Sequence, residues 1–140
     1  MVMANYWLLK SEPFKYSWEQ LLKDGKTFWD GVRNFQARKN LMAMKKGDKC
    51  FFYHSNEGLC IMGIVEVIKE HYPDPTDNTG KWVCVDIKPY KSFKKPVTLQ
   101  EIKEHPVLKN MQFVKQQRLS VSVVTPEEYE IICKLGGVSA

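Results

Sequence analysis

The sequence predicts an α+β fold in which a small mixed β-barrel is covered on the outside by short helices. Two central segments, 49–55 and 59–68, are apolar on both faces, which is typical of a sheet that curls into a barrel and packs against helices. Strand and helix patterns alternate without a regular βαβ rhythm, which disfavours a parallel doubly wound sheet. With 140 residues and no internal repeat, the chain fits a single domain, residues 1–140.

Five strands are predicted from aromatic, aliphatic and β-branched runs. The predicted strands are 6–10, 49–55, 59–68, 82–88 and 118–125. The second and third form a hairpin through a turn at 56–58. In the last strand, Leu119, Val121 and Val123 alternate with Ser120 and Ser122, the period-two pattern of a strand.

Helix starts are predicted from residues that cap the first turn with a side-chain oxygen. Capping boxes, in which a residue three positions later bonds back, are expected with Gln20, Glu101 and Glu128. Gly25 and Gly47 are expected to end the first two helices. The predicted N-caps are Ser17, Asn34, Thr98 and Thr125.

Composition and charge indicate a soluble globular protein. Apolar residues make up 44% of the chain and charged residues 26%, without a low-complexity run. No stretch has the length of a membrane span, and the N-terminus lacks a signal-peptide pattern, so we expect a cytoplasmic monomer. The net charge of +5 comes from 21 basic and 16 acidic residues, a weak indication of a nucleic-acid partner because most basic residues are scattered lysines.

The cysteines and histidines are too widely spaced to predict a metal site. Cys50, Cys60, Cys84 and Cys133 fit neither a CxxC zinc motif nor a dense disulfide frame, so we interpret them as reduced core thiols. The three histidines do not pair with a cysteine at ligand spacing. No metal and no other cofactor is therefore expected.

Trp29 is the residue whose position suggests a binding role. It lies between a predicted helix end and a predicted helix cap, beside Asp30 and Gly31, and on the periodic apolar face of neither a strand nor a helix. One interpretation is a loop aromatic that folds back as a lid on the core. The other is a stacking platform for an extruded base, with Asn34 for amide hydrogen bonds and the arginines 33 and 38 for phosphates.

Five blocks of sequence carry a resemblance to a known family. They are YWLLKSEP at 6–13, WDGVRNFQAR at 29–38, GDKCFFYHSN at 47–56, YPDP at 72–75 and RLSV at 118–121. In this order and spacing the chain resembles the EVE domain family of the PUA-like superfamily over essentially its whole length. The resemblance implies a PUA-like curved barrel of five or six strands with a pocket that reads nucleic acid. It also implies kinship with YTH domains, in which an aromatic cage holds a methylated adenine.

Carried over residue by residue, the resemblance implies a base-binding site and no catalytic residues. Trp29 matches the stacking tryptophan, and Phe28, Tyr53 and Trp82 are candidates for further cage walls. The other implied contacts to the nucleic acid come from four segments: the end of the first strand, the segment after Trp29, the end of the next strand and the RLSV block. The residues are Lys10, Ser11, Asp30, Gly31, Val32, Arg33, Asn34, Arg38, His54, Ser55, Asn56, Arg118 and Ser120.

Three of these residues have an alternative structural interpretation. Ser11 could form a local turn bond before Pro13 instead of contacting a base edge. His54 could be a structural histidine with its hydrogen bonds satisfied inside the protein. Arg118 could form a salt bridge instead of a phosphate contact.

Three classes of function follow from these residues. The first is a non-catalytic reader of a methylated or hydroxymethylated cytosine or adenine in DNA or RNA. The second is a hydrolase of a nucleoside or nucleic acid, in which Lys10 and Glu12 would act as a charged pair; the lack of paired carboxylates, of a metal cluster and of a Ser/His/Asp arrangement disfavours it. The third is a small-ligand or protein-interaction module that uses the same pocket.

Overall fold

The computed structural model describes residues 5–55 and 58–139, which form a six-stranded mixed sheet surrounded by short helices. The strands are β1 (Tyr6–Ser11), β2 (Thr27–Phe28), β3 (Lys49–His54), β4 (Cys60–Pro73), β5 (Val83–Thr98) and β6 (Val121–Val124). Across the sheet their order is β2-β5-β4-β3-β1-β6. This arrangement confirms the predicted α+β class.

Four of the helices begin where the sequence predicted their caps. The helices are α1 (Trp18–Asp24), α2 (Phe35–Ala43), α3 (Leu99–Glu104), α4 (Gln112–Lys115) and α5 (Pro126–Leu135), with a 3-10 turn at Leu108–Asn110. α4 and the 3-10 turn were not predicted. All four predicted N-cap side chains accept a backbone N–H, and Thr98 and Thr125 form full capping boxes. At Ser17 only the hydroxyl half of the box forms, and the Gln20 side-chain N–H donates to Asp24. Within the described ranges, no helix combines the length and apolarity needed to cross a membrane.

β1 and β3 lie side by side and parallel at the centre of the sheet. Tyr6 pairs with Lys49 and Ser11 with His54, so the two strands end at the same edge. The Ser55 N–H extends this pairing by donating to the Ser11 carbonyl at 2.8 Å. Because the carboxyl ends of neighbouring parallel strands meet, residues that follow β1 and β3 are brought together at this edge.

The central strands are buried on both faces, which confirms the prediction made from their apolar pattern. Trp7 and Leu9 pack into one hydrophobic cluster, while Leu8 between them packs into a second cluster on the other face. In β3 the same alternation places Phe52 in the first cluster and Phe51 in the second. Successive side chains of a strand point to opposite faces, so β1 and β3 each contribute side chains to both hydrophobic clusters.

The described strands form an open sheet that does not close into a full barrel, within the α+β class that the sequence predicted. β2 and β6 are its edges, and no ladder joins them in the part of the chain that the structure describes. The β4–β5 ladder contains four register shifts. Such irregularities increase the twist and bend of a strand pair, so the sheet can curve around a core without closing.

β5 is far longer than the predicted strand at 82–88. It continues to Thr98 and includes Pro89 and Pro96, two residues that lack the N–H of a regular ladder and therefore interrupt a strand pattern in the sequence. β2 was not predicted, since two residues carry no periodicity. It pairs with β5 through Thr27 and Phe28.

The predicted end of α2 is wrong, and the burial of β6 does not follow its sequence pattern. α2 ends at Ala43, and Gly47 instead lies in the next turn, with a φ of 97° and its N–H donating to the Val67 carbonyl. In β6, Val123 is exposed whereas Ser122 and Val124 are buried. The Ser122 hydroxyl is buried without a hydrogen-bond partner in the described ranges, so the alternation in the sequence does not report which side of this strand is buried.

The four cysteines are buried and free, which confirms their interpretation as core thiols. Cys50 lies fully inside the first hydrophobic cluster, where burial raises the pKa of its thiol. No group of three or more His, Cys, Asp or Glu residues with metal-binding geometry occurs in 5–55 and 58–139.

Gly63→Ala is expected to destabilise the domain. A Cβ at Gly63 would lie 2.5 Å from the Trp18 ring and 2.6 Å from the Lys91 carbonyl oxygen, and the backbone carbonyl cannot move without disturbing the ladder. Such overpacking costs about 1–3 kcal/mol of unfolding free energy, which guanidinium denaturation would measure. Val123→Ala, on an exposed strand position, serves as the control. Equal stability of Gly63→Ala and the parent would contradict this close approach.

Candidate nucleic-acid interface

A cavity of about 820 Å³ opens at the edge where β1 and β3 end. Its walls come from residues within 10–16, 27–33, 53–59, 99–103 and 113–120. Its volume lies in the range of pockets that bind small organic molecules, about 300–1,000 Å³. The fold therefore brings five separate parts of the chain to one hollow.

Trp29 lines this cavity but is held more tightly than the sequence suggested. Its N–H donates to the Val85 carbonyl at 2.7 Å, which prolongs the short β2–β5 pairing. Its ring meets Phe52 edge to face, with 5.6 Å between centroids, and the residue is 9% exposed. The Trp29 ring is therefore largely buried. The Trp29 ring packs on the core, as in the interpretation as a lid. It also borders the cavity, as in the interpretation as a stacking platform.

Other aromatic residues line the same cavity. Phe28 is 43% exposed, whereas Tyr53 is buried, and burial together with the nearby Cys60 raises the pKa of Tyr53 to about 12. The Tyr53 hydroxyl therefore keeps its proton at neutral pH and can donate a hydrogen bond. Trp82, the third candidate for a cage wall, does not line the cavity and packs against Phe35.

The segment that follows Trp29 is anchored by one buried carboxylate. Asp74 Oδ2 accepts the Gly31 N–H at 2.8 Å and the Arg33 guanidinium at 3.1 Å. Its Oδ1 accepts the backbone N–H and the hydroxyl of Thr76. Gly31 has a φ of 77°, a conformation that glycine adopts without strain. Asp74 thus fixes both the turn at Gly31 and the direction of Arg33.

The charge of Asp74 is stabilised by these donors. Burial raises the pKa of the carboxyl, but the hydrogen bonds from Thr76, Gly31 and Arg33 outweigh it, so the pKa lies below its ordinary value. The side chain of Asp74 is fully buried, while that of Arg33 is 39% exposed. Arg33 is therefore both a structural partner of Asp74 and a cation at the cavity wall.

The end of β1 forms backbone and side-chain hydrogen bonds with the segment 117–120, which lines another part of the cavity. The Lys10 N–H donates to the Ser120 carbonyl at 3.0 Å, and its Nζ donates to the Gln117 carbonyl at 2.6 Å. Burial lowers the pKa of the Lys10 amine. The Ser11 hydroxyl donates to the Tyr16 carbonyl, so the turn-bond interpretation describes Ser11 in this structure. Ser55 and Ser120 also line the cavity.

Positive charge prevails around the cavity. The lining cations are Lys10, Lys15, Arg33, Lys103 and Arg118, and the lining carboxylates are Glu12 and Asp30. Glu12 forms an exposed ion pair with Lys15 at 3.1 Å. Arg118 is exposed and forms no ion pair with a residue in the described ranges, so its salt-bridge interpretation is not supported. The cavity is suited to an anionic ligand that carries an aromatic ring.

Comparison with known proteins places this architecture in a family. The EVE domain model matches residues 5–135, nearly the whole chain. The chain belongs to the EVE domain family. This EVE domain is 36% identical over 167 residues to human Thymocyte nuclear protein 1, covering 95% of the chain and 74% of the human protein.

Solved structures share the fold of this EVE domain. A crystal structure of a protein from Agrobacterium tumefaciens is 52% identical, covers 97% of this chain and 95% of that chain, and has a TM-score of 0.93. The human THYN1 protein in complex with 5-methylcytosine containing DNA is 35% identical, covers 98% and 100%, and has a TM-score of 0.88. The PUA-like class expected from the sequence is confirmed by these neighbours.

A more distant neighbour confirms the expected likeness to YTH domains at the level of the fold. The YTH domain of Zygosaccharomyces rouxii MRB1 protein, in complex with N6-methyladenosine RNA, is 14% identical and covers 100% of this chain and 94% of that chain. Its TM-score is 0.57. At this identity the comparison shows a shared fold alone.

Some predicted site residues of the EVE domain do not line the cavity. The Asn34 side chain caps α2 by accepting the Ala37 N–H at 2.9 Å, and Asn34 borders a separate shallow groove. The Arg38 guanidinium donates to the Lys81 carbonyl on the outer surface. His54 accepts the Trp18 N–H through Nε2, and burial lowers the pKa of its imidazole, so it is a structural histidine. Asn56 lies outside the described residues.

The structure also adds wall residues that the sequence analysis missed. Thr27 and Tyr16 stand close to predicted contacts, and a wider window around Trp29 and Ser11 would have included them. Lys103 and Phe113 come from α3 and α4, which reach the cavity only after the chain has passed through β5. No local signal in the sequence marks them.

Proposed function

We propose that this EVE domain is a non-catalytic reader of a modified base, a methylated or hydroxymethylated cytosine or adenine, in DNA or RNA. The observation that carries the proposal is the Trp29 ring at the border of a cation-lined cavity of about 820 Å³. The complex of the related human THYN1 protein with 5-methylcytosine containing DNA supports it. A base drawn out of its stack would enter the cavity at the carboxyl ends of β1 and β3.

Stacking and hydrogen bonding supply the expected affinity. Contact with an aromatic ring contributes about 1–3 kcal/mol per base. Trp29 and the exposed Phe28 ring are the candidates for this contact, because both line the cavity. The indole N–H of Trp29 has no hydrogen-bond acceptor in the described ranges. Together with the Tyr53 hydroxyl, it could therefore donate a hydrogen bond to the edge of the base.

The lining cations would hold the phosphates next to the extruded base. Arg118, Lys103 and Lys15 are exposed at the cavity, and Arg118 and Lys103 can move toward a phosphate without leaving an ion pair in the described ranges, whereas Lys15 would leave its pair with Glu12. Contacts of this kind are blind to sequence and weaken as salt is raised. The base in the cavity would then provide selectivity, and the rim would provide general affinity.

A comparison of matched oligonucleotides tests the proposal. Single-stranded 12-mers that differ in one central 5-methylcytosine, 5-hydroxymethylcytosine or N6-methyladenine are titrated by fluorescence anisotropy at several salt concentrations. One modified oligonucleotide should bind about 5- to 150-fold more tightly than its unmodified twin, because one added group changes binding by about 1–3 kcal/mol. Equal affinities for every pair, in single strands and duplexes, would contradict the reader function.

The hydrolase remains a second candidate only through its two charged residues. In this structure Lys10 Nζ donates to the Gln117 carbonyl and Glu12 pairs with Lys15. Incubation with nucleosides and oligonucleotides followed by product analysis separates this candidate from the reader. The interaction-module candidate is separated by the anisotropy titration, since such a module should ignore nucleic acid even at low salt.

A further inference from the structure

A second cluster of aromatic and basic side chains lies on the outer surface beside the cavity. We define the cation–aromatic patch as Arg33, Phe35, Arg38, Lys81 and Trp82. The Phe35 and Trp82 rings lie 5.2 Å apart with a 34° tilt, and Phe35 is 57% exposed. An exposed ring of this size at the start of α2 makes no contribution to either hydrophobic cluster of the core.

Three cations surround these two rings. The Arg38 guanidinium lies 5.0 Å from the Phe35 centroid and 5.6 Å from the Trp82 centroid. Lys81 Nζ lies 4.8 Å from Phe35 and 5.6 Å from Trp82, and Arg33 lies 5.8 Å from Trp82. Contacts of this length fall within the range of cation–π attraction, so the rings hold the cations close together on the surface.

The positive charge of the patch is only partly compensated. Arg33 is paired with Asp74, but neither Arg38 nor Lys81 forms an ion pair with a carboxylate in the described ranges. The Asp77 carboxylate, in the same loop as Lys81, is occupied by the Thr79 hydroxyl and the Trp82 N–H. The patch therefore presents two uncompensated cations beside an exposed ring.

The patch and the cavity are continuous through Arg33. This residue lines the cavity and also faces Trp82, and Phe35 follows it by two positions at the first turn of α2. A strand whose base occupies the cavity would bring its neighbouring nucleotides to this surface. Aromatic rings that alternate with cations are the arrangement by which proteins bind single-stranded nucleic acid.

We propose that the cation–aromatic patch binds the nucleotides that flank the base held in the cavity. Phe35 would contact a flanking base, and Arg38 and Lys81 would neutralise the phosphates on either side of it. The ligand is a polynucleotide strand, because only a chain of phosphates matches two cations next to an occupied cavity. This inference rests on the proposed function and extends it from one base to a segment of strand.

The test uses Phe35→Ala and Lys81→Gln with the matched 12-mers. Phe35→Ala should weaken binding of both the modified and the unmodified oligonucleotide by at least about fivefold, the lower end of base–aromatic stacking, and leave the ratio of the two affinities unchanged. Lys81→Gln should lower the slope of log Kd against log salt by about 0.7 for single strands. Both side chains are exposed, and alanine favours a helix start, so melting temperatures should match the parent protein.

Tyr90→Ala is the matched control, since Tyr90 is an exposed ring beneath Lys49 and Lys91 that does not line the cavity. It should bind both oligonucleotides as the parent does. Parent-like binding by Phe35→Ala, or an equal loss of affinity in Tyr90→Ala, would overturn the role of the cation–aromatic patch. If the parent protein still prefers the modified base, the reader function would remain intact. A parent protein without any preference would instead refute the reader function, and the flanking surface with it.

Discussion

Trp29→Ala is expected to lower the free energy of unfolding by about 3–5 kcal/mol and to weaken binding of the preferred modified oligonucleotide at least fivefold. The stability loss follows from the burial of the ring, which is 9% exposed and packs edge to face on Phe52. The affinity loss follows from its place in the cavity wall. Guanidinium denaturation and anisotropy titration measure the two effects separately.

Because the alanine variant changes stability and binding together, a milder pair of variants distinguishes them. Trp29→Phe keeps an aromatic ring on Phe52 and should retain most of the stability while losing part of the preference for the modified base. Trp18→Phe changes a buried tryptophan that hydrogen-bonds Ser92 and does not line the cavity. It should lose stability and keep the preference. The opposite pattern, with preference lost in Trp18→Phe and kept in Trp29→Phe, would show that Trp29 acts only in packing.

Asp74→Asn is expected to destabilise the domain by about 2–4 kcal/mol, because the amide nitrogen replaces one carboxylate oxygen and must face either the Gly31 and Arg33 donors or the Thr76 N–H. The exposure of Arg33 keeps the loss below that of a fully buried ion pair. The same change should weaken oligonucleotide binding about tenfold, the equivalent of about 1.4 kcal/mol, since the turn beside Trp29 loses its anchor. Denaturation and anisotropy at pH 7 give both values.

The change of the unfolding free energy with pH shows whether the ionised Asp74 carboxylate stabilises the folded domain. The folded-state pKa of Asp74 lies below the unfolded value of about 3.9, so its contribution is present above that value and is lost as the pH falls through the folded-state pKa. The difference in stability between the parent and Asp74→Asn should therefore shrink between about pH 5 and the acid limit. Asp77→Asn, in the same loop but less buried than Asp74, should cause a smaller loss at pH 7. A difference that grows on acidification would contradict this role for Asp74.

The sequence predicted the parts of the site that are local in the chain. Trp29 stands out because it breaks the periodic pattern between a helix end and the Asn34 cap; the cap is confirmed, and the residue borders the cavity. The burial of its ring was not predicted, because it depends on the two-residue β2 and its pairing with β5. A strand so short leaves no pattern to read.

The parts of the site that depend on distant contacts were not predictable. His54 was placed in the pocket because it ends β3, yet its imidazole turns to the Trp18 N–H on α1. Lys103 reaches the cavity because β5 runs through Pro89 and Pro96 before α3 begins, and these prolines disguise the strand. Tertiary packing, and not local pattern, decides both positions.

The most direct test of a base bound in the cavity is the indole N–H resonance of Trp29 in two-dimensional ¹H–¹⁵N NMR spectra. The chain has four tryptophans, and the resonance lost in Trp29→Phe identifies the one from Trp29. Addition of the preferred modified 12-mer should shift or broaden this resonance, leave that of Trp18 in place, and have a much smaller effect with the unmodified 12-mer. A modified oligonucleotide that binds tightly while the Trp29 resonance stays unmoved would show that the base is held elsewhere.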